Sequence, residues 1–220
     1  MGSYVVVTPS RGLVHSRTVE AVMSNIANAS GHEFRGWTLT HDLPIPDCHE
    51  TATAQALATG ADALWFVEED NIPPPDTLAR SFAALATDPI AALDYPVGES
   101  PSWACIARDA TGHIYWCGLG ATLIHRRVFE AIERPWFRAM TYAIQPGPDG
   151  RKQLVDPGIP SEYGGQDIYF FRRALAAGFM IGQVPGVAGH ARLRALGKAQ
   201  TNQGAHTIEV LHEIQREQFV

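Results

Sequence analysis

Three consecutive acids, Glu68, Glu69 and Asp70, follow directly on the apolar run Leu64-Trp65-Phe66-Val67 and precede Asn71-Ile72 and the prolines Pro73, Pro74 and Pro75. Three adjacent carboxylates repel one another, and burying any of them is costly. A solvated turn would tolerate the triplet. A run this short, apolar and aromatic suits a strand buried on both faces, and in an open α/β sheet ligands sit beyond the carboxyl ends of the strands. Carboxylates gathered there point to a hard divalent cation, which offsets their repulsion and prefers oxygen ligands. Two further residues stand where chemistry could use them. Asp167 follows Gly164-Gly165 at the start of an apolar, helix-forming stretch; it reads either as an acid favoured by the helix N-terminus or as a general base for an acceptor hydroxyl. His190 lies between Gly189 and Ala191 after an apolar run; it reads either as an exposed turn histidine or as a ligand approached closely by backbone. An imidazole ligand would favour manganese over magnesium.

The elements that must position these residues can be read along the chain. "YVVVTPSRG" opens as a β-branched strand stopped by Pro9 and Gly12. Residues 18–29 predict a helix with Val19, Val22, Met23 and Ile26 on one face and Gly31 beyond its end. "HEFRGWTL" predicts a second strand, "CHETATAQALATG" a second helix ending at Gly60, and "DALWFVEED" a third strand. Asp76 opens a third helix to about Ala86, with Leu78, Phe82 and Leu85 inward, and "PIAALDYPV" predicts a fourth strand. This alternation implies right-handed crossovers and a mostly parallel sheet over the first 95 residues, an α/β fold. Residues 101–124 then show period-two stretches that suggest antiparallel strands, one ending at Ile124. "RRVFEAI" predicts a short helix, residues 138–164 a long loop, "QDIYFFRRALAAG" a helix stopped by Gly178, and "FMIGQVPGVAGH" a final strand and turn. The tail "HTIEVLHEIQREQFV" predicts an amphipathic helix.

With 220 residues, 45% hydrophobic and 18% charged, the composition is that of an ordinary globular domain, and one sizeable core is expected. No apolar run is long enough to span a membrane. The opening "MGSYVVVTPS" has neither a basic stretch nor a long apolar one and reads as a strand; its Met-Gly start resembles an acylation site only superficially. Cys48, Cys105 and Cys117 have no CxxC spacing, which suggests free thiols in a cytoplasmic setting. The net charge of −6 is unevenly spread: residues 1–100 carry 4 basic and 13 acidic side chains, the remainder 13 basic and 10 acidic. An acidic chain is a poor general nucleic-acid binder. Arg126-Arg127, Arg151-Lys152, Arg172-Arg173 and "HARLRALGK" could contact phosphates or be dispersed solvated cations.

Five stretches in order carry a family resemblance: "TPSRG", "GADALWFVEED", "GLGATLIHRRVFEAIERPWF", "GGQDIYFFRRALAAG" and "GVAGH". Over roughly residues 4–192 the chain resembles a compact GT-A-type nucleotide-sugar glycosyltransferase, similar to the small phage and bacterial members. The resemblance rests on order and spacing rather than on any single motif. It implies a single GT-A-like, Rossmann-like domain over 1–220, with 1–95 as the nucleotide-binding half and 96–220 as the acceptor half. It implies a nucleotide diphosphate sugar as donor, Mn2+ or Mg2+ as cofactor, and residence in the cytoplasm, a host's if phage-encoded. The DxD motif of the family stands here as Glu68-Glu69-Asp70, with a longer arm in the first position. The resemblance therefore makes Asp70 and His190 the metal ligands, Asp167 the base of an inverting displacement, and Glu68 and Glu69 donor contacts. It places Thr8, Pro9 and Arg11 against the nucleotide, although Arg11 could instead pair with a surface acid. Asp42 could accept from base or ribose, with Gln55 and His49 as weaker candidates. Trp103, Trp116, Trp136 and Phe137 could stack on sugar or acceptor, or serve the core, where aromatic side chains bury well.

Two other readings compete. A nucleotidyltransferase can share such a sheet and metal site, but usually carries a glycine-rich basic loop after the first strand; "TPSRGLVHSR" has one early glycine and no lysine. A non-catalytic carbohydrate- or nucleic-acid-binding domain is disfavoured by acids that would repel phosphates without a metal. The acceptor is not readable: a modified DNA base, a protein or a glycan all fit.

Overall fold

The computed structural model describes residues 2–96, 105–109, 111–146, 152–155, 159–161, 164–200 and 206–214. The strands are β1 (Ser3–Thr8), β2 (Glu33–Leu39), β3 (Ala63–Phe66), β4 (Asn71–Ile72), β5 (Ile90–Asp94), β6 (Ala107–Arg108), β7 (Ile114–Trp116), β8 (Thr122–His125), β9 (Ala143–Pro146), β10 (Lys152–Val155), β11 (Ile181–Val187), β12 (Gly189–Gln200) and β13 (His206–Ile214). The helices are α1 (Ser16–Asn28), α2 (Asp47–Ala58), α3 (Thr77–Leu85), α4 (Arg126–Ala131) and α5 (Gln166–Ala176). A six-stranded sheet in the order β11-β5-β8-β3-β1-β2 forms the centre. β1 runs parallel to β2 and β3, and β11 parallel to β5. Only β8 runs against its neighbours, paired antiparallel to both β3 and β5. The expected mostly parallel sheet flanked by helices is therefore present, with one reversed strand between β3 and β5.

Strand alternation divides the buried residues into two cores. Val5, Val7, Leu64, Phe66, Ile90 and Ala92 face one layer, with Ala52 and Ala56 of α2, Val128 and Phe129 of α4, and Phe170 and Phe171 of α5. Tyr4, Val6, Ala63, Trp65, Ala91 and Leu93 face the other, with Val22 of α1 and Leu78 of α3. Both faces are covered, so the central strands can be apolar at every position, as "YVVV" and "ALWF" are. Each fully buried large side chain contributes about 1.5–3 kcal/mol.

Four expectations are corrected. The inward face of α1 is Thr18, Ala21, Val22 and Asn25, while Val19 and Met23 are exposed. Asn25 takes the inner position because it is fully used there: it donates to the carbonyls of Ala21 and Pro74 and accepts from Leu78 N–H. Apolar periodicity does not detect a polar anchor of this kind. The region 138–164 is not a plain loop: β9 and β10 pair antiparallel, and Met140 bridges Pro160. The stretch "FMIGQVPGVAGH" contributes to two strands, separated at Ala188. The tail is strand, not helix, where it is described, because β13 pairs antiparallel along β12 from Ala191↔Ile214 to Gln200↔His206. Trp103 lies outside the described residues.

Candidate functional site

Because β1, β3, β5 and β11 point the same way, the segments after all four emerge at one edge of the sheet. There the three acids separate, each taken by a different partner. Asp70 turns to His190, Glu69 to Arg11, and Glu68 to Tyr95. Like charges tolerate adjacency in sequence because the chain sends their side chains in three directions.

The Asp70–His190 pair is built by backbone. β4, immediately after the acids, pairs with the start of β12, setting His190 opposite Asn71, and Ala191 N–H donates to the Asp70 carbonyl at 2.7 Å. His190 Nε2 then lies 3.1 Å from Asp70 Oδ2. The other ring nitrogen, Nδ1, lies 2.8 Å from the Pro96 carbonyl, which can only accept, so Nδ1 carries a hydrogen. Tyr95 packs edge-on against the imidazole at 5.7 Å. Burial works against the charged ring, but the hydrogen bond and charge of Asp70 outweigh it and raise the His190 pKa.

These residues fit a divalent cation. A ligating histidine usually anchors its second nitrogen on a carbonyl or carboxylate, as Pro96 does here. Asp70 Oδ2 and His190 Nε2 face one another and could share an ion. Among the described residues no group of three or more His, Cys, Asp or Glu side chains is arranged to hold one. A cation would thus have two protein ligands, leaving its other positions to water and to ligand phosphate, a pattern common for hard cations at phosphate sites.

A cleft of about 250 Å³ opens beside this pair. Of the residues singled out in the sequence, Pro9, Arg11, Glu68, Glu69, Asp70, His190 and His49 line it. The charge of Arg11 is committed, as one sequence reading allowed: its Nε and Nη2 donate to Glu69 Oε1 at 3.1 and 2.7 Å, and its backbone N–H donates to Oε2 at 3.0 Å. The pair ties the loop after β1 to the acid cluster. Arg11 is half-exposed, so the ion pair itself contributes at most about 1 kcal/mol.

Thr8 and Asp42 do not line the cleft. Thr8 is fully buried and its hydroxyl accepts from Trp37 Nε1 at 2.9 Å, a contact that joins β1 to β2. Asp42 is exposed in the turn after β2, at φ 55°, beside Gly12. Gln55 is on the exposed side of α2. Trp136 donates from Nε1 to the Phe129 and Ile132 carbonyls and is buried with Phe137 in the core, and Trp116 packs half-buried against the same cluster.

Asp167 does not line the cleft itself; it stands in the first turn of α5, one position after the cleft-lining Gln166, and keeps some open surface. Burial of its carboxyl, then the nearby negative charge of Glu68, push its pKa up to about 6, against a counteracting hydrogen bond from Ile168 N–H at 2.8 Å. A carboxylate with that pKa is suited to accept a proton near neutral pH. Gly165 serves the chain rather than a ligand: it caps α5 at φ 72°, and a Cβ there would meet the Met140 carbonyl at 2.2 Å.

Tyr95 was not singled out in the sequence. It follows β5 in "LDYP", its hydroxyl donates to Glu68 Oε2 at 3.3 Å, and it accepts from Gly120 N–H at 3.3 Å. A Cβ on Gly118 would fall 2.0 Å from that hydroxyl, and one on Gly120 would fall 2.5 Å from the Asn71 side chain. The "GLG" of the β8 approach is therefore required by close packing behind the acid cluster. Position at a strand's carboxyl end was the one signal that could have flagged Tyr95.

No family model and no curated protein matches the chain. Among solved structures it is similar to A197 from STIV, at 16% identity and a TM-score of 0.55, over 100% of this chain and 99% of that one. At that identity the likeness concerns the fold. No described helix is long and apolar enough to cross a membrane.

Proposed function

We propose that the chain is a metal-dependent, GT-A-type glycosyltransferase that moves a sugar from a nucleotide diphosphate donor to an acceptor hydroxyl with inversion. The observation that carries this reading is the meeting of Asp70 and His190, 120 positions apart, in the lining of one cleft, with the raised-pKa carboxylate of Asp167 within electrostatic reach of the cleft-lining Glu68. Asp70 and His190 would hold a manganese or magnesium ion, which when bound would stabilise the charge that develops on the departing diphosphate. Asp167 takes the proton from the acceptor hydroxyl as that oxygen attacks the anomeric carbon. Pro9 and Ile45 offer apolar lining at the end where β1 meets α2, against which a nucleoside could rest.

A thermal-shift screen of nucleoside diphosphates and their sugar conjugates, with and without manganese, tests the reading. A manganese-dependent rise in melting temperature with at least one nucleotide sugar, followed by release of the nucleoside diphosphate on turnover, is expected. A protein indifferent to manganese and to every nucleotide sugar would overturn it.

A further inference from the structure

Two buried polar atoms in the cleft have no hydrogen-bond partner among the described residues: His49 Nε2 and Gln166 Oε1. His49 is 2% exposed and Gln166 8%. Leaving such atoms unsatisfied is costly, so a buried orphan on a residue that lines a cleft marks a place where a ligand atom belongs.

The hydrogen on the His49 ring can be located from its neighbours. Nδ1 lies 3.2 Å from Cys48 Sγ. Burial pushes the Cys48 thiol up to about 11, so sulfur keeps its hydrogen at neutral pH. With the S–H donated to Nδ1, the ring hydrogen sits on Nε2, the side that faces the Glu68 carboxylate. The ring is held in place by Phe137, 5.5 Å away. Nε2 faces Glu68 Oε1 at 3.6 Å, too far for a hydrogen bond between them. The other Glu68 oxygen is taken by the Tyr95 hydroxyl. The cleft therefore presents one donor and one acceptor side by side, with a second acceptor, Gln166 Oε1, in its lining.

We propose that His49 is a ligand-binding residue whose Nε2–H, with Glu68 Oε1, recognises a pair of neighbouring hydroxyls of a sugar ring. One hydroxyl accepts from Nε2 and donates to Gln166 Oε1, and the other donates to Glu68 Oε1. Each hydroxyl is both donor and acceptor, so a diol satisfies all three groups, whereas phosphate, which only accepts, would face two acceptors. The proposal rests on the glycosyltransferase reading and assigns the sugar-recognising end of that site. The diol could belong to the ribose or to the transferred sugar, which share this chemistry.

The test uses the full chain and two variants. His49→Phe keeps the ring packed against Phe137 but removes both nitrogens; His49→Gln restores an N–H close to the Nε2 position. In the unliganded protein, His49→Phe is expected to melt close to wild type, because relief of the orphaned Nε2 offsets the loss of the weak Cys48 S–H contact to Nδ1; a structural histidine would instead leave a less stable variant. With manganese present, His49→Phe is expected to bind nucleotide sugar roughly tenfold more weakly, and His49→Gln to recover part of the loss. Comparing the nucleoside diphosphate, its 2′,3′-dideoxy form and the nucleotide sugar separates the sources: a loss already present with the diphosphate and absent with the dideoxy form assigns the ribose, and a loss seen only with the sugar conjugate assigns the transferred sugar. Nitrogen-15 NMR of the imidazole reads the ring independently of any ligand. Hydrogen on Nδ1 alone overturns the proposal, as does unchanged nucleotide-sugar affinity in His49→Phe. Wild type that binds no nucleotide sugar overturns the glycosyltransferase reading instead, while the NMR and melting results still decide whether His49 presents its donor to the cleft.

Discussion

Replacing Asp167 by Asn should yield a protein that is more stable and catalytically poor, with the stability gain appearing over a defined pH range. Asn is nearly isosteric, and its Oδ1 can still accept from Ile168 N–H, so the α5 start is kept. What disappears is a carboxylate whose folded-state pKa is about 6 against an ordinary 3.8, raised first by burial and then by Glu68. The folded protein binds that proton more tightly than the unfolded chain does, so the wild type loses stability as pH rises from about 4 to about 6 and nothing further above. The gap corresponds to ~3 kcal/mol. Asp167 keeps some open surface, so solvent screening reduces the expected gain to about 1–3 kcal/mol. In a chain of this size that is several degrees, at about 2–4 °C per kcal/mol. The assay is melting of both proteins without metal at half-unit steps from pH 4 to 8. The difference between variant and wild type should be smallest at pH 4, widen to pH 6 and then stay level. Transfer should fall by roughly 10²–10⁴, mainly in kcat, with donor affinity retained. A difference flat across pH would refute the buried-carboxylate argument, and near-normal transfer, or a product with retained anomeric configuration, would refute the base assignment.

Asp70→Asn should weaken manganese binding severely while costing at most about 1 kcal/mol of metal-free stability, the loss of a partly exposed pair with His190; wild-type manganese affinity by calorimetry would remove it from the site. His190→Ala should likewise weaken manganese-dependent binding of nucleoside diphosphate, and equal binding across a manganese series would return it to a plain strand position. Gly118→Ala should cost about 1–3 kcal/mol and loosen ligand binding, because the new methyl meets the Tyr95 hydroxyl that supports Glu68. Gly31→Ala, where nothing lies within 4 Å, is the matched control and should melt within about 0.5 kcal/mol of wild type.

What the chain alone determined is the alternation of elements through β5 and the placing of the acid cluster at the carboxyl end of a central strand. "YVVV" and "ALWF" are apolar throughout because both faces of their strands are covered, and that shows in one dimension. The acid cluster after β3 was legible for the same reason: a strand's carboxyl end is a place defined by sequence order. Tertiary structure alone decided which partner each acid takes. Glu68, Glu69 and Asp70 have equal charge, and only the approach of Tyr95, Arg11 and His190 from distant segments separates them. Thr8 and Asp42 looked equivalent to Pro9 and Arg11 until the loops took their places, Thr8 turning inward to Trp37 and Asp42 outward to solvent. The tail shows the limit most plainly. "HTIEVLHEI" has apolar residues at spacings that satisfy both a helix and a strand, with Ile208, Val210 and Ile214 an even number of positions apart and Leu211 breaking the pattern. Local periodicity could not choose between the two, and the choice fell to β12, which offers β13 a partner along its length and satisfies the backbone groups that a helix would have satisfied internally.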